Sequence, residues 1–393
     1  MKEFNFGIPQ DIIVGSGTLA KLSELSKKMG THAFIISGPN LYKHGLVGRT
    51  KKYIEKAGIK TDVFCDIEAN PSVDTVVKAA EAYKSSGADF IVALGGGSPM
   101  DVAKAVGVVV KYGGSIIDYE GADRVPGKII PIIAIPTTAG TGSEVTAFSV
   151  ITDHAREYKL TVFSYELLPE YVILDSDLIM TLPASVAAAC GMDAFIHAEE
   201  AYVSTAATPF SEAMSEKAME LIGRSIRSFI ANRTNQAASE DMMMGSLFAG
   251  IAFSFARLGN VHAMSHPISA FFDVPHGVAN AVLLPTVVEY NAIADKGKYQ
   301  KIYQYICHNS IDVASFRPQL LADAIRELCA DIGIPKGIEE AVYQVPKNKN
   351  VTQNDITDKM EQMVADAMKS GNILVNPRSS TALDIERLYY EAL

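Results

Sequence analysis

The sequence predicts two domains of different class, an α/β half over residues 1–181 and an all-α half over residues 182–393. Three observations lead there. At 393 residues the chain exceeds the ~250–300 at which a single core usually stops growing. Up to about residue 180, short β-rich apolar runs alternate with amphipathic, helix-like stretches, the βαβ signature of a mostly parallel sheet. From "TLPASVAAACGMDAFIHAEEAYVS" (181–204) onward, Ala, Met, Glu and Leu recur at helical spacing, with Gly and Pro between segments and few β-branched runs.

The predicted strands are "AFIIS" (33–37), "DVFCD" (62–66), "DFIVAL" (89–94), "IIPIIAIP" (129–136) and "YVILD" (171–175). Between the last two, "AFSVITD" (147–153) and "YKLTVFS" (158–164) read as a hairpin whose charged "HARE" turn faces solvent. The boundary falls at Leu182-Pro183, because proline suits a helix start and disfavours helix at the residue before it. Within the helical half, "YQVPKNKNVTQND" (343–355) reads as a polar loop and "SSTALDIERLYYEAL" (379–393) as a capped amphipathic helix.

Composition narrows the function. A formal net charge of −10 and the absence of any dense Lys/Arg run argue against nucleic acid or an anionic membrane surface as partner. The start, "MKEFNFGIPQDIIVGSG", lacks the apolar core of a secretory leader, and no uninterrupted apolar stretch reaches ~20 residues, so a cytoplasmic location is expected. Cys65, Cys190, Cys307 and Cys329 are widely spaced without a Cys-x-x-Cys pair, which suits reduced, inert thiols.

Two loops suit a nucleotide. "DFIVALGGGSPMDVAKAVGVVV" (89–110) is a strand, then Gly95, Gly96, Gly97 and Ser98, then a helix starting near Pro99, where glycine and unpaired helix N–H groups favour a phosphate. The spacing is not G-x-G-x-x-G, so a simple tight turn is an equal alternative. "IPTTAGTGSEVT" (135–146) adds the hydroxyls of Thr137, Thr138, Thr141 and Ser143 after another strand, although one or two of the four are expected only to cap turns. Two such loops in one sheet point to ribose and phosphate contacts.

A third constellation suits a metal. "GMDAFIHAEE" puts Asp193 and His197 at i, i+4 on one helical face, and "GNVHAMSHPISAFFDVPHG" (259–277) repeats that spacing with His262 and His266. His276 follows where Pro275 and Gly277 predict a loop. One carboxylate and up to four imidazoles suit iron or zinc, while spacing alone leaves open which histidines are ligands and which a proton relay. His32, His44, His154 and His308 stand apart.

Together "GGGSPMDVAK", "IPTTAGTGSEVT", "GMDAFIHAEEAYVS" and "HAMSHPISAFFDVPHGVANAVLLP" resemble the iron-dependent (group III) alcohol dehydrogenases, with their lactaldehyde reductase, butanol dehydrogenase and 1,3-propanediol dehydrogenase branches. The resemblance covers essentially the whole chain. It implies a Rossmann-like dinucleotide-binding domain, then a helical metal-binding domain, and hydride transfer between NAD(P) and a short-chain primary alcohol, diol or aldehyde. It implies Asp193, His197, His262 and His276 as ligands of Fe²⁺, with Zn²⁺ also suited, and leaves His266 near the nicotinamide and substrate as candidate proton relay. Gly95, Gly96, Gly97 and Ser98 would hold the pyrophosphate and Thr137, Thr138 and Thr141 the nicotinamide side. Asn70 and Lys159 would be further cofactor contacts, and Asp101 and Lys104 structural.

Two departures carry expectations. Gly38 follows "AFIIS" where many NAD-using members have an acidic residue, so no carboxylate repels a 2′-phosphate and NADP is expected to be tolerated or preferred. Phe255 stands where Asn is frequent, so a substrate pocket near Thr146, Phe148 and Phe253 is expected to be unusual. The rival readings are a zinc-dependent polyol (glycerol-type) dehydrogenase, a dehydroquinate-synthase-like lyase, and a noncatalytic metal- or nucleotide-binding protein. A homodimer or larger homo-oligomer is expected.

Overall fold

The computed structural model describes residues 7–8, 11–68, 70–156, 158–308 and 312–393. The chain divides into two compact units, Met1–Thr181 and Leu182–Leu393. Of the amino-terminal stretch read for a leader, residues 1–6 and 9–10 lie outside the described ones.

The first unit carries strands β1 (Asp11–Val14), β2 (His32–Ser37), β3 (Lys60–Phe64), β4 (Phe90–Gly95), β5 (Gly121–Ala122), β6 (Ile132–Pro136), β7 (Phe148–Asp153), β8 (Tyr158–Phe163) and β9 (Tyr171–Leu174). Six form one parallel sheet in the order β1-β9-β6-β4-β2-β3. The central strands β4 and β6 are buried at every position. That is why they read as continuous apolar runs rather than alternating ones: a parallel sheet is covered on both faces. Phe90, Val92, Leu94, Ile133, Ile135 and Ile173 build one core with Leu22, Val47 and Ile54.

The chain runs from β2 out to β3, then returns to the other side of β2 with β4, β6 and β9. This reversal opens a crevice at the carboxyl ends of β2 and β4, where open parallel sheets bind their ligands. Gly38 follows β2 there, and the glycine turn Gly95–Ser98 follows β4.

Strands β7 and β8 pair antiparallel from Phe148↔Phe163 to Asp153↔Tyr158, the predicted hairpin. It belongs to a separate three-stranded sheet with β5. His154, Ala155 and Arg156 at its turn are exposed, and Glu157 lies outside the described residues.

The second unit is helical among its described residues. The three that carry the metal motifs are Ala184–Val203, Asn260–Phe272 and His276–Asn291. The stretch His276–Ala294 is long and apolar enough to cross a membrane, but 72% of its apolar window is buried inside the protein. The polar stretch 343–355 differs from its predicted loop, because Ile338–Tyr343 ends within it and Pro346–Asn348 and Gln353–Asp358 follow. These helices are too short for periodicity, although the Thr352 and Asp355 capping box was legible. Ala382–Glu391 forms the carboxyl-terminal helix behind a Thr381 and Asp384 capping box.

Candidate metal centre and cofactor loops

In the first unit the two glycine- and threonine-rich loops lie against each other. Thr137 N donates to Gly95 O at 2.9 Å. A Cβ on Gly96 would meet Thr138 Oγ1 at 3.2 Å, and one on Gly97 would meet Thr141 Cγ2 at 2.9 Å. Small size therefore serves the packing of one loop on the other as well as the approach of a ligand. Gly95 has φ +150°, a conformation that L side chains rarely adopt. The helix Gly97–Tyr112 starts two residues before Pro99, and the residue before it, Gly96, has no side chain with which to cap it. Ser98, Thr138 and Thr141 are half-buried and Thr137 is buried. Thr141 also caps its turn, with Oγ1 accepting from Ser143 N at 3.2 Å.

Lys104 locks the second loop from beneath. Only 1% exposed, it donates from Nζ to the carbonyls of Ser143 (2.7 Å), Thr146 (2.8 Å) and Phe148 (2.8 Å). Asp101 accepts from Ser143 Oγ at 2.8 Å and from Val150 N at 3.2 Å. Burial lowers the Lys104 ammonium to about 8, against the attraction of Asp101 and Glu144. It also pushes the Glu144 carboxyl up to about 7. These groups act as struts. Lys159 and Asn70, both read as cofactor contacts, meet each other, with Nζ donating to Oδ1 at 3.0 Å. Burial lowers the Lys159 ammonium.

Of the three pocket residues, Thr146 is buried and also receives Lys104 Nζ on Oγ1 at 3.3 Å. Phe148 is half-buried, its ring 4.9 Å from that of Phe163. Phe253, in the second unit, stacks on His197 with ring centroids 4.3 Å apart.

In the second unit Asp193 is the hub. It is 3% exposed, and its Oδ1 has the Nε2 atoms of His197, His262 and His276 at 3.8, 3.7 and 3.8 Å. One donor atom each from Asp193, His262 and His276 lies within 4.8 Å of the other two. His197 stands outside that mutual set and stacks on His262 with centroids 4.6 Å apart. Burial would raise the Asp193 carboxyl, but the three histidines hold it far below the usual carboxylate range. A carboxylate and imidazoles are the donor types that suit a divalent cation such as iron or zinc. His266 is half-buried, its ring stacked 5.3 Å from that of His276.

His276 is not in a loop as expected. It is the first residue of His276–Asn291, and Pro275 is the residue before that helix. Gly277 is there for close approach rather than for a turn, since a Cβ would stand 2.1 Å from Ala189 O. Its absence lets one helix lie on the other and brings His276 beside Asp193.

Two neighbours of the site went unread in the sequence. Glu200, 3% exposed, binds His262 Nδ1 at 2.5 Å and accepts from Val261 N at 2.7 Å. This contact leaves Nε2 of His262 to face Asp193, the second carboxylate contact by which metal sites fix a histidine tautomer. Burial lowers His262, but Glu200 and Asp193 together raise it to about 9. Asn280, wholly buried, puts Nδ2 2.8 Å from Asp193 Oδ1. Both carried a signal: Glu200 is seven residues after Asp193 and Asn280 four after His276, each on the same helical face.

Paired loops at the reversal of a parallel sheet suit a dinucleotide in the first unit, and a buried carboxylate–imidazole set suits a divalent cation in the second. A family model described as "Iron-containing alcohol dehydrogenase" matches residues 9–176, and one described as "Fe-containing alcohol dehydrogenase family, C-terminal" matches residues 187–393. The chain belongs to this family. It is 35% identical over 398 residues to a 1,3-propanediol dehydrogenase of Citrobacter freundii, covering 99% of this chain and 98% of that one. It is 32% identical over 387 residues to an NADPH-dependent butanol dehydrogenase of Clostridium saccharobutylicum, covering 98% and 96%. Among solved structures it is similar to a sulfoacetaldehyde reductase from Bifidobacterium kashiwanohense in complex with NAD⁺, with TM-score 0.86, 30% identity and coverage of 100% and 99%.

Proposed function

We propose that the enzyme interconverts short-chain primary alcohols or diols with their aldehydes, with Asp193, His197, His262 and His276 holding a single Fe²⁺. The observation that carries the ligand set is the near-equal spacing, 3.7–3.8 Å, of three imidazole nitrogens around one buried carboxylate oxygen. When bound, the ion would supply Lewis acidity at the alcohol oxygen and the nicotinamide dinucleotide would supply the hydride acceptor. Glu200 fixes the His262 tautomer, and Phe253 shields one face of His197 from water. Gly95, Gly96, Gly97 and Ser98 hold the pyrophosphate, and Thr137, Thr138 and Thr141 the nicotinamide side. Lys159 and Asn70 contact the cofactor as a bonded pair. Thr146, Phe148 and Phe253 contribute to the substrate pocket.

His266 carries the alcohol proton away. In the His266→Ala variant kcat is expected to fall about a hundredfold, with the acidic limb of the alcohol-oxidation pH profile lost. Full turnover with an unchanged profile would refute the relay.

Gly38 supports acceptance of NADP(H) beside NAD(H): it brings no carboxylate to repel a 2′-phosphate, and the space a Cβ would take there is open. One relative is itself named NADPH-dependent. We expect a homodimer or larger homo-oligomer in the cytoplasm, where the four free cysteines stay reduced.

One experiment tests this reading. Metal-free protein is reloaded anaerobically with Fe²⁺ or Zn²⁺ and assayed with NAD and NADP against short alcohols, diols and aldehydes. The expected result is Fe²⁺-dependent turnover, with NADP efficiency within about a hundredfold of NAD. Turnover restored by Zn²⁺ alone would favour a polyol dehydrogenase. A wider NADP gap would remove the role given to Gly38.

A further inference from the structure

The helix that carries His262, Asn260–Phe272, begins after Gly259, which has no side chain to cap it. Its first N–H groups are met instead from far along the chain. Asn376 Oδ1 accepts from Asn260 N at 3.2 Å, and Glu200 Oε1 accepts from Val261 N at 2.7 Å. Both acceptors crowd the same backbone, since a Cβ on Gly259 would stand 2.8 Å from Asn376 Oδ1 and 3.0 Å from Glu200 Oε1. The other oxygen of Glu200 binds His262 Nδ1, so one carboxylate joins the helix start to the imidazole.

Asn376 is 5% exposed, and its amide is fully engaged. Oδ1 also accepts from Asn291 Nδ2 at 3.3 Å, while Nδ2 donates to Asn291 Oδ1 at 2.8 Å and to Arg378 O at 2.7 Å. Turning the amide over would set its NH₂ group against Asn260 N–H, so its orientation is fixed. The loop that bears it is pinned to the end of His276–Asn291: Arg378 Nη1 donates to Tyr290 O and Tyr290 OH to Ser379 O, each at 2.7 Å. We infer that Asn376 is a positioning residue for the metal centre proposed above, the reading on which this inference rests. By capping the first turn it fixes where His262, the third residue of the helix, stands against Glu200 and Asp193. The opposite end of the helix supplies a control. There Asn348 Nδ2 donates to Phe272 O at 2.6 Å, ~15 Å along the axis from His262.

The test is a chelator-competition titration with Zn²⁺ at fixed pH, with thermal unfolding alongside, on the wild type, Asn376→Ala and Asn348→Ala. Each variant loses buried hydrogen bonding to the same helix, so both are expected to lower Tm. Asn376→Ala alone is expected to weaken Zn²⁺ binding, by about tenfold, with Asn348→Ala within about twofold of the wild type. Wild-type affinity in Asn376→Ala would reduce Asn376 to packing, and equal weakening in both variants would reduce the effect to helix stability; either result overturns the inference. If Asn376→Ala does not fold, Asn376→Ser, whose side chain is one bond shorter, is judged by the same comparison. A wild type that binds no Zn²⁺ would instead overturn the metal site itself.

Discussion

Asp193→Asn is expected to lower kcat/KM for alcohol oxidation by about a thousandfold or more, ~4 kcal/mol of transition-state stabilisation, with metal content falling well below one ion per chain. The carboxylate is the anion around which the three imidazoles gather, each Nε2 3.7–3.8 Å from its Oδ1. An amide of the same shape keeps the volume and removes the charge. The fold is expected to survive, so circular dichroism should match the wild type while elemental analysis and turnover both drop. A variant retaining one ion per chain and turnover within about tenfold would show that Asp193 is not a ligand.

Lys104→Met is expected to destabilise the protein by ~3–5 kcal/mol and to raise the KM for the nicotinamide far more than that for the alcohol. Methionine retains most of the apolar stem but strands the carbonyls of Ser143, Thr146 and Phe148 and removes one of the two lysines, Lys104 and Lys159, that offset the Asp101 charge. The loop thus released is the one that packs Thr138 and Thr141 against Gly96 and Gly97. Chemical denaturation measures the first effect and steady-state kinetics the second. Unchanged stability would mean that the three carbonyls find water instead.

The fold was legible wherever packing imposes a period on the sequence. β4 and β6 are covered on both faces and so are apolar throughout, and the β7–β8 hairpin appeared as two strand-like runs around a charged turn. β1 escaped because it has four residues, none of them fully buried, and pairs with β9 at the sheet edge. The donor types of the proposed metal set are legible as i, i+4 pairs, but the proposed separation of His262 and His276 from His266 rests on the family resemblance. Glu200 and Asn280 shared the correct helical faces, yet their importance arises only where separate helices meet, which spacing along one helix cannot express. Pro275 and Gly277 misled for the same reason: glycine permits both a turn and the close approach of two helices, and here the neighbour at Ala189 decides.

The most direct measurement of the central claim uses a 1,1-dideuterated short-chain primary alcohol, oxidised anaerobically by Fe²⁺-loaded and metal-free enzyme, with deuterium in the reduced nicotinamide read by mass spectrometry. We predict one deuterium in each NADH or NADPH formed by the loaded enzyme and essentially none formed by the metal-free protein. Reduced cofactor without deuterium, or equal formation with and without the ion, would contradict metal-assisted hydride transfer at this site.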